Sequence, residues 1–182
     1  MAQFIPFQSG VEVKGQSLLS IVNAIDFGKE SRLAILKKHG IENPVPESWY
    51  SQEKMMNAFK EIADQIGNNT LFAIGKSILE NAEFPPQIDD LEKALYSIDM
   101  AYQMHHRGGN TGYYKLIKFD TKRREAIMEC KNPYPSEFDR GIISAVLRRF
   151  KPKDSFKYDA MLDLMKETRL KGADSCTYWI TW

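Results

Sequence analysis

Three polar residues near the end of a predicted helix have types and spacing that could bind a ligand. Asp99, Gln103 and His106 recur at intervals that place them along one flank of that helix, where they could face a pocket. A solvated helix flank, or Asp99 capping a nearby loop, explains the same residues, since charged side chains are seldom buried unless paired. An unpaired carboxylate in an apolar pocket would be costly. We therefore expect Asp99 to bond to Gln103 or to a loop amide.

Histidine and cysteine side chains could hold a metal ion or a haem. His105 and His106 are adjacent, and neighbouring helical residues point about 100° apart, so only one could face a given ion. A histidine at a helix C-terminus is also favoured by the helix dipole. Cys130 and Cys176 could join a histidine around zinc, but no Cys-x-x-Cys pair is present. Buried thiols are the simpler interpretation, and we expect both cysteines to be reduced and metal-free.

The segment NPYPSEFDRG, residues 132–141, is the most distinctive stretch of the chain. Its two prolines remove the backbone donors that a central strand would need. Tyr134 and Phe138 could form the wall of a cavity, with Asp139 and Arg140 fixing the corner. A stiff turn that docks the following helix explains the same residues. Both interpretations can hold, because rigid corners often carry ligand contacts.

Composition and motifs exclude several function classes. The chain has 182 residues, 43% hydrophobic and 27% charged, as in an ordinary soluble globule. A net charge of +1 argues against nucleic-acid binding by bulk electrostatics. No apolar run approaches the ~20 residues of a membrane span, and the N-terminus lacks a secretory signal pattern. No catalytic triad order, phosphate-binding glycine loop or dinucleotide fingerprint is present, so we expect a cytoplasmic protein that is not an enzyme.

Hydrophobic periodicity predicts an α+β fold. Helices are predicted at about residues 17–27, 30–39, 51–66, 69–82, 89–106 and 136–150, with N-caps at Ser51, Asp89 and Ser136. Strands are predicted at 113–120, 124–130, 156–164 and 176–182. We expect a single domain, in which a helical part (1–88) packs with a part (89–182) that holds a four-stranded antiparallel sheet and its crossing helix.

Residues 95–130, LYSIDMAYQMHHRGGNTGYYKLIKFDTKRREAIMEC, resemble the signalling helix and first two strands of haem nitric-oxide/oxygen-binding (H-NOX) domains. The ending GADSCTYWITW is similar to the last strand of 4-vinyl-reductase-type domains. TRAPP vesicle-tethering subunits share this fold group. The resemblance is best over residues 91–182, about half of the chain, and it implies the fold and a ligand pocket.

The resemblance fails at the residues that hold haem in the H-NOX family. An ungapped match places Asp99 where that family has its haem-ligating histidine. The family's Tyr-x-Ser-x-Arg propionate clamp falls on Cys130, Asn132 and Tyr134. A carboxylate is a poor haem ligand, and no guanidinium stands at the clamp. We therefore expect no haem bound in the family manner, and no other cofactor.

These observations predict a non-catalytic small-molecule-binding or sensor-type domain. Its ligand would be small and apolar or aromatic, and its partner a second copy or a signalling protein. The predicted ligand-binding residues are Asp99, Tyr102, Gln103, Met128, Tyr134 and Phe138. Two alternatives stay open: a protein-interaction subunit with a filled core, and a haem or metal sensor with a nonstandard ligand such as His105 or His106.

Overall fold

The computed structural model describes residues 3–25, 27–80 and 82–182. The helices among these residues are α1 Gly15–Asn23, α2 Lys29–Lys38, α3 Gln52–Ile66, α4 Asn68–Glu80, α5 Leu91–Met104 and α6 Ser136–Phe150. The strands are β1 Glu12–Lys14, β2 Trp49–Ser51, β3 His106–Arg107, β4 Tyr113–Asp120, β5 Glu125–Lys131, β6 Asp159–Leu162 and β7 Ser175–Thr181. A short 3-10 turn spans Arg169–Lys171. The fold is α+β, as the sequence predicts. No described helix is long and apolar enough to cross a membrane.

The late strands form one four-stranded antiparallel sheet in the order β4-β5-β7-β6. This confirms the predicted hairpin and the predicted pairing of the last strand. Strict alternation sets the register, since the side chains of β5 alternate between buried and half-buried. Asp120 accepts hydrogen bonds from the Lys122 and Arg123 amides, both at 3.0 Å, and thereby closes the hairpin turn.

A second sheet, of three short strands in the order β2-β1-β3, was not predicted from the sequence. Val13 lies opposite both Tyr50 and His106, so β1 joins the start of α3 to the end of α5. Strands of two or three residues are too short to show alternation. His106 therefore belongs to a strand and not to the helix on which the sequence places it, and the N-terminal part is not purely helical.

Helices α4 and α6 cross at two glycines. A Cβ at Gly75 would lie 2.0 Å from the Phe138 carbonyl oxygen, and one at Gly141 would lie 2.2 Å from the Phe72 carbonyl oxygen. The backbones approach so closely that neither position can take a side chain. Gly75 lies inside α4, where a glycine is costly, and this close approach explains why the helix has one there. The contact holds the start of α6, and thus the corner before it, against α4.

Several helix ends and one strand differ from the predictions. Helix α1 ends at Asn23 instead of Phe27, and Asp26 lies outside the described residues. Ser51 caps α3 as predicted, but Asp90 caps α5, accepting from the Lys93 amide at 2.8 Å. Strand β6 spans four residues within the longer strand predicted there.

Helix α6 has no capping box. Its N-cap position is Pro135, with no side-chain cap, and Ser136 is the first helical residue. The predicted N-cap at Ser136 is therefore wrong, and Asp139, in the first turn, is fully buried and paired with Arg169 instead of capping the helix. A buried partner from a distant turn thus outweighs the local capping role that the sequence suggests.

Candidate functional site

Five rings from separate elements meet beneath the corner that precedes α6, and we call them the aromatic centre. They are Phe59 of α3, Tyr102 of α5, His106 of β3, and Tyr134 and Phe138 of the corner and α6, all at most 8% exposed. Ring centroids lie 5.1 Å apart for Tyr134–Phe138, 5.4 Å for Phe59–Phe138 and 6.2 Å for Tyr102–Tyr134. Edge-to-face and offset contacts at these distances are favourable for aromatic side chains.

His106 is held between two tyrosines. Its Nδ1 lies 2.7 Å from the Tyr102 carbonyl oxygen, and its Nε2 lies 2.8 Å from the Tyr134 hydroxyl. A carbonyl oxygen only accepts, so Nδ1 carries the proton and donates it, whereas Nε2 accepts from Tyr134. Burial lowers the pKa of His106 to about 4. At neutral pH the imidazole is therefore uncharged, with both nitrogens engaged.

Asp99 and Gln103 are on α5, and their side chains contact the start of β4 and the loop that joins the two elements. The Tyr114 amide donates to the Asp99 carboxylate at 2.8 Å, and Gln103 Nε2 lies 3.3 Å from the same oxygen. Gln103 also donates to the Gly112 carbonyl at 2.9 Å and accepts from Thr111 Oγ1 at 3.0 Å. This confirms the expectation that Asp99 bonds to Gln103 or to a loop amide.

The same loop also contacts the aromatic centre, because the Tyr102 hydroxyl donates to the Thr111 carbonyl at 2.5 Å. Asp99 and Gln103 thus fix the loop that orients Tyr102, from outside the centre. Of the predicted site residues, the structure brings Tyr102, Tyr134 and Phe138 together. Met128 is fully buried on β5, opposite Leu116 and Tyr178.

Gln52, the first residue of α3, was missed by the sequence analysis. Its side chain is 1% exposed, and neither its Oε1 nor its Nε2 has a hydrogen-bond partner. Buried polar groups almost always find partners, so this amide requires an explanation. One signal could have found it: Gln52 lies at helical spacing from Met55 and Phe59, a polar residue on an otherwise apolar stripe.

A second buried polar cluster, which we call the ion-pair cluster, also adjoins the corner. The Arg169 guanidinium donates to the Asp139 carboxylate, to the carbonyls of Asn132 (2.8 Å) and Tyr134 (2.6 Å), and to the Cys176 sulfur at 3.3 Å. Burial raises the pKa of the Asp139 carboxyl above its ordinary value, and the Arg169 guanidinium opposes that shift. The sequence analysis named Asp139 at the corner but not its partner Arg169.

The Asp139 carboxylate has three further contacts. The Tyr114 hydroxyl donates to it at 2.6 Å, and Asn132 Nδ2 lies 3.2 and 3.4 Å from its two oxygens. Cys130 and Cys176 are buried free thiols that face each other across β5 and β7, as the interpretation of structural thiols predicts. Among the residues that the structure describes, no three His, Cys, Asp or Glu side chains are grouped to hold a metal ion.

Solved structures of H-NOX domains superpose on most of the chain. One, from work on haem distortion in the H-NOX family, aligns with a TM-score of 0.67 and 16% identity over 93% of this chain and 94% of that chain. The chain has an H-NOX-like fold. An oxygen-binding H-NOX domain related to soluble guanylate cyclases aligns with a TM-score of 0.63 and 15% identity, over 92% of this chain and 91% of that one.

A third H-NOX domain, from Shewanella oneidensis in the Fe(II)CO ligation state, aligns with a TM-score of 0.64 and 14% identity, over 92% of this chain and 97% of that one. The H-NOX-like fold thus extends over nearly the whole chain, beyond the half for which the sequence resemblance is best. No family model and no curated protein matches the sequence. At these identities the likeness establishes the fold alone.

The side chains at the positions that the ungapped sequence match aligns with the H-NOX haem ligand and propionate clamp do not fit haem held in the family manner. Asp99 gives one oxygen to the Tyr114 amide and to Gln103. At the clamp positions, Cys130 is a buried thiol, Asn132 bonds to Asp139, and Tyr134 bonds to His106. None of these side chains offers a free nitrogen ligand for iron or a cation for a propionate.

Proposed function

We propose that this chain is a non-catalytic, sensor-type domain that binds a small uncharged molecule at the aromatic centre. The observation that carries the proposal is the buried, unpartnered carboxamide of Gln52 on the helix face that reaches Tyr134 through Phe59. A core that serves only packing would have an apolar side chain there, because an unpaired buried amide costs about 1–3 kcal/mol. A group of this kind calls for an explanation, and a functional site is one place where such departures from full pairing are expected.

The predicted site residues take distinct roles in this proposal. Tyr102, Tyr134 and Phe138 contact the ligand, and Met128 of β5 contacts it from the sheet. Asp99 and Gln103 act as positioning residues, because their hydrogen bonds hold the loop whose Thr111 carbonyl receives the Tyr102 hydroxyl. The ligand would then report its presence through α5 and the three-stranded sheet, which meet at His106.

In this proposal the ligand is not a haem held as in the H-NOX structures. Those H-NOX domains include an oxygen complex and an Fe(II)CO form. This chain combines the same fold with aromatic rings in mutual contact and with a buried side-chain amide, that of Gln52, on the helix that carries Phe59. We therefore propose a ligand that hydrogen-bonds to an amide instead of coordinating through iron.

Native mass spectrometry of freshly purified protein, together with its visible absorption spectrum, tests this function. We expect an added mass from one organic molecule per chain and no Soret band. Tyr134→Ala should lose the added mass while it retains folded-state dispersion in NMR spectra. Protein that carries no small molecule, or one haem per chain with a sharp Soret band, would refute the proposal.

The outer face of the four-stranded sheet favours a second candidate, a protein-interaction subunit. Ile127, Trp179 and Met161 lie in one row across β5, β7 and β6, and the last two are each 48% exposed. Exposed apolar rows of this kind often mark contact surfaces. In this alternative the purified protein would carry no ligand and would form a homodimer or a complex, which Trp179→Lys would dissociate.

A further inference from the structure

The start of α3 is fixed beside the aromatic centre by the three-stranded sheet. Val13 of β1 lies opposite Tyr50 on one side and His106 on the other, and the backbone N–H of Gln52 donates to the Val11 carbonyl at 2.9 Å. Gln52 and Phe59 are seven residues apart, so they share one face of α3. The Phe59 ring lies 6.4 Å from the ring of Tyr134. The same face therefore presents the Gln52 carboxamide towards the tyrosines.

The oxygen of the Gln52 carboxamide lacks a hydrogen-bond donor. The Tyr134 hydroxyl gives its proton to His106 Nε2, and the Tyr102 hydroxyl gives its proton to the Thr111 carbonyl. Each tyrosine oxygen can still accept, so Gln52 Nε2 could find an acceptor after a small shift. Neither tyrosine has a proton left for Gln52 Oε1. The unmet need is for one hydrogen-bond donor.

The charges around the centre favour an uncharged donor. His106 is neutral at physiological pH because burial lowers its pKa to about 4. The Asp139 and Arg169 charges are paired with each other beyond the corner. Burial raises the pKa of both Tyr102 and Tyr134, so both stay neutral. The Gln52 side-chain N–H, which lies near both hydroxyls without hydrogen-bonding geometry, opposes that shift in each as a weak donor. A charged ligand would be desolvated here without a partner.

We infer that Gln52 is the recognition residue of this site, for a small uncharged aromatic compound that carries a hydroxyl group. The hydroxyl donates to Gln52 Oε1, and the aromatic ring packs against Phe59, Tyr134 and Phe138. The inference rests on the proposed function and names the ligand class for the same site. Phe4 lies between the centre and solvent: it is half-buried, its ring is 5.9 Å from that of Phe59, and its amide donates to the Pro133 carbonyl.

Phenol is the probe for this inference, and toluene, which has the same ring without a donor, is its matched control. Binding to the full chain is measured by calorimetry and by the rise in Tm. We expect phenol to bind about 10-fold more tightly than toluene, since one hydrogen bond of about 1.4 kcal/mol has that effect. Gln52→Met keeps the side-chain volume and should abolish the preference. Gln65→Met, at an exposed position on the same helix, should leave it unchanged.

Phe4→Ala provides a second variant, because it removes the ring nearest solvent and should raise the affinity for phenol. Equal binding of phenol and toluene, or a preference that persists in Gln52→Met, would overturn the inference while leaving the proposed function intact. A single ordered water on Gln52 with no response to phenol would also overturn it. If neither compound binds wild type or Phe4→Ala and no molecule co-purifies, the proposed function fails as well.

Discussion

Two buried clusters meet the corner at residues 132–139, and they differ in how completely their polar groups are paired. In the ion-pair cluster, every nitrogen of the Arg169 guanidinium donates to an acceptor, and both Asp139 oxygens accept. Beside the aromatic centre, the Gln52 side chain has no hydrogen-bond partner for either polar atom. Tyr134 belongs to both, through its carbonyl in the first and its ring in the second.

The difference separates a structural role from a binding role. A fully paired buried network rigidifies the elements that it joins, here the corner, α6 and the turn before β7. A cluster with one unpaired amide is less stable than an apolar core of the same shape would be. The first cluster therefore fixes Tyr134 in place, and in the proposed function the unpaired amide beside the second is the group that the ligand meets.

The largest expected effect comes from breaking the ion-pair cluster. Arg169→Met would leave the Asp139 carboxylate buried without its partner, and we expect the free energy of unfolding to fall by about 3–5 kcal/mol. Urea denaturation measures this change. Arg123→Met, at a side chain that is 72% exposed, is the matched control and should change stability by less than about 0.5 kcal/mol.

The double variant Arg169→Met/Asp139→Leu sharpens the same test. Removing both charges should recover much of the loss, because the cost comes from the unpaired carboxylate more than from the lost contacts. An Arg169→Met protein that unfolds within about 1 kcal/mol of wild type would show that the cluster does not hold the corner.

The next effect is a loss of stability in acid through His106. Its pKa is about 4 in the folded protein against about 6.5 in an unfolded chain, so the unfolded state binds the proton more readily. The stabilisation is complete above pH 6.5 and is lost as the pH falls towards 4. The shift corresponds to about 3 kcal/mol at most.

Unfolding free energies of wild type and His106→Gln between pH 7.5 and 4 isolate this contribution. Burial also lowers the pKa of His105, and subtracting the two curves removes that shared background. We expect the difference between the two proteins to shrink steadily as the pH falls. A difference that is independent of pH would show that His106 titrates normally and is not enclosed by the two tyrosines.

The smallest effect concerns the loop beside the aromatic centre. Asp99→Ala removes the acceptor of the Tyr114 amide and should cost about 1 kcal/mol. Amide hydrogen exchange at Tyr114 should become faster, whereas Asp99→Asn, which keeps an acceptor oxygen, should change it little. Unchanged exchange in Asp99→Ala would show that the carboxylate does not hold the start of β4.

The sequence predicts the sheet and most helices because long periodic segments carry their own signal. Strands β5 and β7 alternate regularly and β4 does so up to its bulge after Leu116, while α3 and α5 show clear apolar stripes. The three-stranded sheet escapes prediction because its strands are too short for any period to show. The sequence assigns His106 to α5 for the same reason, because a two-residue strand directly after a helix has no pattern that separates it from the helix end.

The site is predictable only in part, because partners distant in sequence decide it. Tyr134 and Phe138 stand out in a proline-rich corner, and α5 presents Tyr102 on its apolar face. Arg169 gives no such signal, since it occupies a short turn in a segment rich in charged residues and its partner lies 30 residues away. Gln52 breaks an apolar stripe, which is a weak signal until its lack of partners is known.

The unfolding free energy of Gln52→Met tests the central claim most directly, because the substitution replaces an amide by an apolar side chain of similar volume. If the amide is unpaired in the free protein, Gln52→Met should raise the stability by about 1–2 kcal/mol, measured by urea denaturation of ligand-free protein. Gln65→Met should change it by less than about 0.5 kcal/mol. A loss of stability of 1 kcal/mol or more in Gln52→Met would show that the amide is paired within the fold and would contradict the account.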